Sequence, residues 1–280
     1  MSLPRPDALL FDMDGVLVDT SASYRQVILE TVRVITAGAF EPTLNWVEAL
    51  KRSTGFNNDW DASLALVLLT DHRHGSTPDA LSDQLLALGG GLPAVRRWLG
   101  APESDAALAS EVRRVFQALY LGPERFCASE EGDFPSLGHA LDVGPYLDRE
   151  RALVDLEVLL RLPQPKAIAT GRPEAEARYA VERAGWGQVF LAVVSHDDCV
   201  RAGQRGKPDP WPLLEAARRS GIGSAAVSWY LGDTPDDVRA ALAAGMVPVG
   251  IGATNEQREA LLAAGAAAVF SNVESALVGT

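Results

Sequence analysis

The sequence has little cysteine, a shortage of positive charge and no long apolar run. Two cysteines among 280 residues cannot build a disulfide framework, and free thiols are usual in a reducing cytosol. Lysine and arginine number 25 against 37 acidic residues, which gives a net charge of −12. Nucleic acids and anionic membranes are bound by basic surfaces, so this composition argues against either as a partner.

The sequence also argues against membrane insertion and secretion. The most apolar run, Ala240 to Ala253, is shorter than a membrane span and is interrupted by glycine and proline. Near the N-terminus, Asp12 and Asp14 interrupt the apolar residues before the core of a signal peptide can form. We therefore expect a soluble, cytoplasmic protein of one large domain or two smaller ones.

Short apolar runs alternate with amphipathic stretches from about Gln164 onward, and a further apolar run lies near the N-terminus. This alternation is typical of a parallel sheet with helices on both faces, a Rossmann-like doubly wound α/β fold. The predicted strands are Ala8–Phe11, Ala167–Ala169, Val189–Val194, Ala225–Leu231, Val247–Ile251 and Ala267–Phe270. The predicted helices run from Pro173 to Gly185, Pro210 to Ser220, Pro235 to Ala244 and Asn255 to Ala264.

The residues between these two parts show helical spacing and no strand alternation. Helices are predicted around an apolar face of residues 24–35, over Asp59 to Thr70, from Pro78 to the glycines at 89–91, and over Ser104 to Leu121. Residues 122–148, rich in glycine, proline and acids, predict a connector with little regular structure. We thus expect a core domain of residues 1–20 and 149–280, with an inserted all-helical cap domain of residues 21–148.

Polar groups follow several of the predicted strands, where ligands bind in open α/β sheets. In chain order they are Asp12 and Asp14, Thr170, Lys207 before a helix, and Asp233 with Asp237. Clustered carboxylates repel one another unless a cation lies among them, and oxygen ligands with room for water suit Mg²⁺. A lysine and a hydroxyl beside that cation form a site for a phosphate dianion.

The segments that carry these residues resemble motifs I to IV of the haloacid dehalogenase superfamily. They are Asp12-Met13-Asp14-Gly15, Thr170-Gly171, Lys207-Pro208 and Gly232-Asp233 followed by Asp237, in the order of the family and across most of the chain. The insertion after motif I resembles the helical cap of subfamily I. Within that subfamily, Ser23-Tyr24-Arg25 and Asn57-Asn58-Asp59-Trp60 resemble an uncharacterised clade.

The resemblance implies a role for each acidic residue. Asp12 is expected to attack phosphorus and form an aspartyl-phosphate, while Asp14 serves as general acid and then as general base. Asp12, Asp233 and the backbone carbonyl of Asp14 are expected to bind Mg²⁺. Asp237 is expected behind them, acting through a metal-bound water or by holding Lys207.

The resemblance also implies that Thr170, Gly171 and Lys207 bind the phosphoryl group. Each residue alone has a simpler explanation, since Thr170 could cap the helix that starts near Pro173 and Lys207 could be a surface lysine. The catalytic interpretation gains weight because such explanations would have to coincide at four strand ends.

Five further residues are candidates for contacting substrate. Arg172 follows motif II directly and could bind an anion, or it could be a solvated charge at a helix start. Arg25 lies near the start of the cap. Asn57, Asn58 and Trp60 form a polar and aromatic group that could contact the leaving group. Alternatively, Asn58 or Asp59 caps the helix over Asp59 to Thr70, with Trp60 packed beneath it.

The sequence therefore predicts a Mg²⁺-dependent phosphatase acting on a small phosphorylated metabolite, with the cap closing over the core to exclude water. Asp14 and Asp233 argue against a haloalkanoate dehalogenase, and Asp14 argues against a phosphonate hydrolase. A phosphomutase remains the alternative, although Tyr24 occupies the position where familiar hexose mutases carry histidine. A non-catalytic binding module on the same fold is the other alternative, but Asp12, Asp14, Lys207 and Asp233 are all present.

Overall fold

The structure, a computed structural model, describes residues 3–53, 55–56, 58–71, 77–100, 105–129, 132–137 and 145–278. It divides into two compact units. The core unit comprises the residues up to Asp19 together with those from Arg151 onward, and the helical unit comprises Thr20–Glu150. Among the described residues, no helix is both long enough and apolar enough to cross a membrane.

The core unit contains a parallel sheet of six strands. The strands of this unit are β1 (Ala8–Phe11), β2 (Val18–Asp19), β3 (Arg151–Ala152), β4 (Lys166–Ala169), β5 (Ala192–Val194), β6 (Ser228–Gly232), β7 (Val247–Ile251) and β8 (Ala268–Phe270). The parallel sheet has the order β5-β4-β1-β6-β7-β8, and β2 pairs with β3 in an antiparallel ribbon. The predicted α/β class is confirmed.

Helices of the helical unit are α1 (Tyr24–Ile35), α2 (Leu44–Arg52), α3 (Asp59–Leu68), α4 (Pro78–Ala87), α5 (Gly91–Leu99) and α6 (Ala106–Ala128). Helices of the core unit are α7 (Leu156–Arg161), α8 (Glu174–Arg183), α9 (His196–Arg201), α10 (Trp211–Arg219), α11 (Pro235–Ala243), α12 (Asn255–Ala264) and α13 (Val273–Leu277). A 3-10 turn at Tyr146–Arg149 ends the helical unit.

The central strand β1 is buried on both faces of the sheet. Leu9 and Phe11 pack into one apolar cluster with Trp186, whereas Ala8 and Leu10 pack into a second cluster on the other face. Successive side chains of a strand point to opposite faces, so a strand covered by helices on both sides must be apolar throughout. After β1, strands β4 and β5 are added on one side of it, and strands β6, β7 and β8 are added on the other. This change of direction leaves a crevice at the carboxyl ends of β1, β4 and β6.

Three sequence-based boundaries are wrong by three residues or more. The strand predicted from Ala225 begins only at Ser228. The strand predicted from Val189 begins only at Ala192, because Val189 and Phe190 lie buried in a turn that precedes it. The connector predicted from Gly122 begins after Ala128, because α6 continues beyond a kink at Gly122, whose φ is +75°. A proline comes directly after it at position 123, where the second part of the helix starts and a free N–H is not needed.

The helical unit is held together by α1. This helix packs against α3 and α6, and Tyr24 at its start stacks on Tyr120 of α6 with ring centroids 4.6 Å apart. The Tyr120 hydroxyl donates to Glu150 Oε1 over 2.8 Å, and the Ser23 hydroxyl donates to the same oxygen over 2.9 Å. Tyr24 is therefore a packing residue of this unit.

Candidate active site

The crevice of the core unit collects the residues of the four motifs. Asp12 and Asp14 follow β1, Thr170 follows β4, and Asp233 follows β6. Backbone hydrogen bonds fix these strand ends, since Asp12 N–H donates to Leu231 O over 2.8 Å and Thr170 N–H donates to Val194 O over 2.9 Å. Parallel strands end at one edge of a sheet, and this common edge is what brings residues distant in sequence together.

Lys207 lies at the centre of the site. Its Nζ lies 2.8 Å from Asp12 Oδ1 and 2.7 Å from Asp237 Oδ1, and it donates to the Tyr230 hydroxyl over 3.1 Å. Burial lowers the pKa of Lys207, but Asp12 and Asp237 more than offset this effect and hold it well above its usual range. The ammonium is therefore a permanent positive charge beside the carboxylate of Asp12.

Tyr230 is a site residue that the sequence motifs did not reveal. It is fully buried on β6, and its hydroxyl donates to Ala169 O over 2.9 Å at the end of β4. The same oxygen accepts from Lys207, so Tyr230 links the ends of two strands to the lysine. The available signal was a tyrosine, an aromatic residue with a hydroxyl group, three positions before Asp233.

Asp237 has both a structural and an electrostatic role. Its Oδ2 accepts hydrogen bonds from Thr234 N–H and Oγ1 at the start of α11, and Thr234 Oγ1 accepts from Asp237 N–H, which forms a capping box. Its Oδ1 faces Lys207. Asp237 thus both caps the start of α11 and holds Lys207 in place.

Asp233 approaches the backbone that follows β1. Gly15 has a φ of +69°, and a Cβ added there would lie 2.1 Å from Asp233 Oδ2. Only glycine combines this backbone conformation with so close an approach. Glycine at position 15 therefore allows the carboxylate of Asp233 to lie close to that of Asp12.

The carboxylates fit a divalent cation. One oxygen from each of Asp12, Asp233 and Asp237 lies within 4.8 Å of the others. Asp12 Oδ1 is buried, with the Lys207 ammonium 2.8 Å away. A buried carboxylate oxygen is costly without a partner, and Lys207 supplies one positive charge against three carboxylates. Hard oxygen donors of this kind suit Mg²⁺.

The pKa values of two of these carboxyls reflect the crowding. Burial raises the pKa of Asp12 to about 7, with Lys207 lowering it and Asp237 and Asp14 raising it. Burial, followed by the charges of Asp237 and Asp12, raises the pKa of Asp233 well above its usual range. A cation bound among these groups would favour their ionised forms.

Thr170 and Gly171 lie at the mouth of the crevice. Thr170 is buried, and its hydroxyl accepts a hydrogen bond from Arg172 N–H over 3.2 Å. Gly171 is exposed, and a Cβ added there would meet no described atom within 4 Å. A hydroxyl and backbone N–H groups at the carboxyl end of β4 are groups that can bind phosphate.

Arg172 is not a solvated charge at a helix start. Its side chain is 1% exposed and donates to Asp14 Oδ1 through Nε at 2.7 Å and Nη2 at 2.5 Å. Its carbonyl accepts from His196 N–H over 2.9 Å, which anchors the backbone at the same point. The structure thus joins Arg172 to the second aspartate of motif I.

The remaining candidates lie in the helical unit, where each described one has a local partner. Arg25 forms an ion pair with Glu48 at 2.6 Å. Asn58 caps α3 by accepting from Trp60 N–H over 2.9 Å, as the simpler interpretation holds. The Arg113 guanidinium lies 4.2 Å from the Trp60 ring centroid. Asn57 lies outside the described residues.

Solved structures share the fold. A phosphatase from Thermococcus thioreducens has a TM-score of 0.60 at 23% identity, covering 97% of this chain and 99% of that one. A Thermotoga maritima protein with a provisional β-phosphoglucomutase assignment has a TM-score of 0.52 at 20% identity, covering 97% and 96% of the two chains. These similarities concern the fold alone.

Curated relatives extend the comparison to sequence. The chain is 28% identical over 255 residues to an imidazoleglycerol-phosphate dehydratase of Phytophthora nicotianae, covering 87% of this chain. It spans only 43% of the length of that protein. It is also 26% identical over 248 residues to a phosphoglycolate phosphatase of Shigella boydii, covering 86% of this chain and 79% of that one.

The family assignment follows from a match over most of the chain. The family model of haloacid dehalogenase-like hydrolases matches residues 6–245, from before β1 to just beyond α11. The match includes all four segments that meet in the crevice of the core unit. The chain therefore belongs to the haloacid dehalogenase-like hydrolase family.

Proposed function

We propose that this protein is a Mg²⁺-dependent phosphatase that hydrolyses a small phosphorylated metabolite through an aspartyl-phosphate. The observation that carries the proposal is the carboxylate of Asp12, buried at the end of β1 between Lys207 and Asp233. The names of two relatives, a phosphoglycolate phosphatase and an imidazoleglycerol-phosphate dehydratase, both contain a small phosphorylated compound. This supports the substrate class.

In the first step, an oxygen of Asp12 attacks phosphorus as the ester P–O bond breaks. The electron pair of that bond remains on the leaving oxygen, which takes a proton from the carboxyl of Asp14. In the second step, water attacks phosphorus, gives a proton to the Asp14 carboxylate and releases inorganic phosphate from Asp12. One group thus serves as acid and then as base.

Charge on the transferring phosphoryl group is balanced by fixed positive groups. Lys207 and Thr170 would contact its oxygens, while Asp237 and Tyr230 keep the ammonium in position. Mg²⁺, held by Asp12, Asp233 and the backbone carbonyl of Asp14, would neutralise the remaining phosphoryl charge when bound. Phosphoryl transfer depends on positioning and charge stabilisation of this kind.

The test is a screen of phosphorylated metabolites for phosphate release, with Mg²⁺ and with EDTA, including 2-phosphoglycolate. We expect turnover of a few related compounds that needs Mg²⁺ and is abolished in Asp12→Asn. Turnover that persists in Asp12→Asn would exclude the covalent route. Turnover unaffected by EDTA would exclude the metal.

The screen also separates the alternatives within the fold. A phosphomutase would release little phosphate, would form an acid-stable phosphoenzyme and would need a bisphosphate activator for full activity. A binding module would form no phosphoenzyme with any compound. Trapping the ³²P-labelled intermediate on wild type and on Asp12→Asn therefore separates the binding module from the two enzymes, and phosphate release with and without a bisphosphate activator separates the phosphatase from the phosphomutase.

A further inference from the structure

The second aspartate of motif I is held by one oxygen only. Arg172 donates Nε and Nη2 to the same atom, Asp14 Oδ1, at 2.7 and 2.5 Å. Among the described residues, Asp14 Oδ2 accepts no hydrogen bond, and the Asp14 side chain is 34% exposed. The two oxygens of this carboxyl group are therefore inequivalent.

We propose that Arg172 is a positioning residue, which fixes Asp14 so that Oδ2 faces the leaving oxygen of the substrate. This inference rests on the proposed function, in which Asp14 transfers the proton. Two charge-assisted hydrogen bonds to one oxygen restrict both side-chain torsions of an aspartate. A proton donor displaced by about 1 Å loses about 10²-fold in rate, so such a restraint has a measurable kinetic value.

The backbone shows why Arg172 can serve this purpose. Its N–H donates to Thr170 Oγ1, and its carbonyl accepts from His196 N–H at the start of α9. Hydrogen bonds thus fix both the backbone and the guanidinium of Arg172, and its side chain is 1% exposed. A guanidinium this deeply buried is poorly placed to bind a soluble substrate and well placed to orient its neighbour.

The dependence on the leaving group provides the test. A p-nitrophenolate leaves without a proton, whereas the alkoxide of an alkyl phosphate must be protonated as it leaves. The ratio kcat/KM reports only the steps up to release of the leaving group, so later hydrolysis of the phosphoenzyme does not contribute. We would measure kcat/KM for p-nitrophenyl phosphate and for the best alkyl phosphate from the screen.

We expect Arg172→Met and Arg172→Lys to lower kcat/KM about 10- to 100-fold on the alkyl phosphate and by less than about threefold on the aryl phosphate. Asp14→Asn should show the same selectivity with a larger loss. The double variant Asp14→Asn/Arg172→Met should be no slower than Asp14→Asn, because residues that act as a unit are non-additive. Arg219→Met, which breaks the 2.9 Å ion pair with Asp198 in the same unit, should show no selectivity.

Equal losses on both substrates in the Arg172 variants, with Asp14→Asn still selective, would overturn the positioning role and leave the proposed function intact. Additive losses in the double variant would overturn it as well. If Asp14→Asn itself showed no selectivity, the acid role of Asp14 would fail, and the role of Arg172 with it. The Lys variant keeps the charge, so it tests the two-donor geometry without leaving a buried cavity of the same size.

Discussion

At the scale of single residues, the side chains of the site each form a hydrogen bond or an ion pair with two neighbouring groups. Tyr230 accepts from Lys207 and donates to Ala169 O. Asp237 accepts from Thr234 with one oxygen and faces Lys207 with the other. Catalytic geometry and local stability therefore depend on the same atoms, and most substitutions here should affect both. The useful variants are those that separate the two effects.

Tyr230→Phe removes the hydroxyl and keeps the buried ring. We expect a loss of about 1–3 kcal/mol in unfolding free energy, because Ala169 O loses its donor in a buried place. We also expect kcat to fall about tenfold, because the Lys207 ammonium loses an acceptor that fixes its position. Chemical denaturation and steady-state kinetics measure the two effects.

Tyr120→Phe is the matched control for this change. Its hydroxyl is equally buried and donates to Glu150 Oε1 over 2.8 Å in the helical unit. We expect a comparable loss of stability with kcat unchanged. If both tyrosine variants lowered kcat to the same extent, the effect of Tyr230→Phe would reflect weaker folding, and its role in holding Lys207 would be rejected.

At the scale of elements, the sequence predicted the strands of the parallel sheet better than it predicted the antiparallel β2–β3 pair or the helices of the inserted unit. The runs Val247–Ile251 and Asn255–Ala264 are the observed β7 and α12 to the residue, since an apolar strand and a capped helix each carry a local signal. Helices α2 and α5 were not predicted. The glycines at 89–91 signalled a helix end, but Gly91 also begins α5, and a run of glycines does not specify whether a helix or a loop comes next.

The same distinction applies to the site. The residues at strand ends could be recognised because each motif is local and its order along the chain is preserved. The pairing of Arg172 with Asp14 could not, because these residues are 158 positions apart and meet only through the register of β1 with β4. Cap candidates such as Asn58 and Trp60 had no comparable strand to locate them.

The turn after β1 depends on one glycine. Gly15→Ala must accommodate a Cβ 2.1 Å from Asp233 Oδ2 as well as a φ of +69°. We expect Mg²⁺-dependent activity to fall at least about 10²-fold, because Asp233 must move away from Asp12. Kinetics at a series of Mg²⁺ concentrations would show a raised Mg²⁺ requirement.

Gly245→Ala controls for backbone strain. Its φ is +71°, but a Cβ there would meet no described atom within 4 Å. We expect only the cost of the left-handed conformation, about 1–2 kcal/mol, with activity preserved. Equal loss of activity in both alanine variants would show that strain, and not the approach of Asp233, explains the effect.

Helix α9 gives the core unit a carboxylate whose contribution depends on pH. Burial raises the pKa of Asp198, but hydrogen bonds from Ser195, Arg201 and Arg219 lower it by more, to well below its usual value. The stability it provides is complete above the ordinary aspartate pKa of about 3.9 and is lost as the pH falls below it. We expect the stability of wild type to fall from pH 6 to pH 3 more steeply than that of Asp198→Asn. Parallel pH profiles of the two proteins would contradict this.

At the scale of the whole molecule, this acidic chain places several carboxylates together in the crevice at the carboxyl ends of its strands. The net charge is −12, and Asp12, Asp233 and Asp237 lie within reach of one another. Burial and the neighbouring aspartates raise the pKa of Asp233, which means that its ionised form is unfavourable in the fold without a cation. We therefore expect the arrangement to cost stability in the metal-free protein and to favour binding of a divalent ion.

Asp233→Asn should therefore be more stable than wild type without metal and less responsive to Mg²⁺. A ligand that binds only the folded state at 100 times its Kd stabilises by about 2.7 kcal/mol, so Mg²⁺ should raise the Tm of wild type. Thermal unfolding with EDTA, with Mg²⁺ and with NaCl of equal ionic strength would measure both effects. The salt control is needed because any cation screens a net charge of −12. An equal Mg²⁺ shift in wild type and in Asp233→Asn would mean that screening, and not this cluster, accounts for the stabilisation.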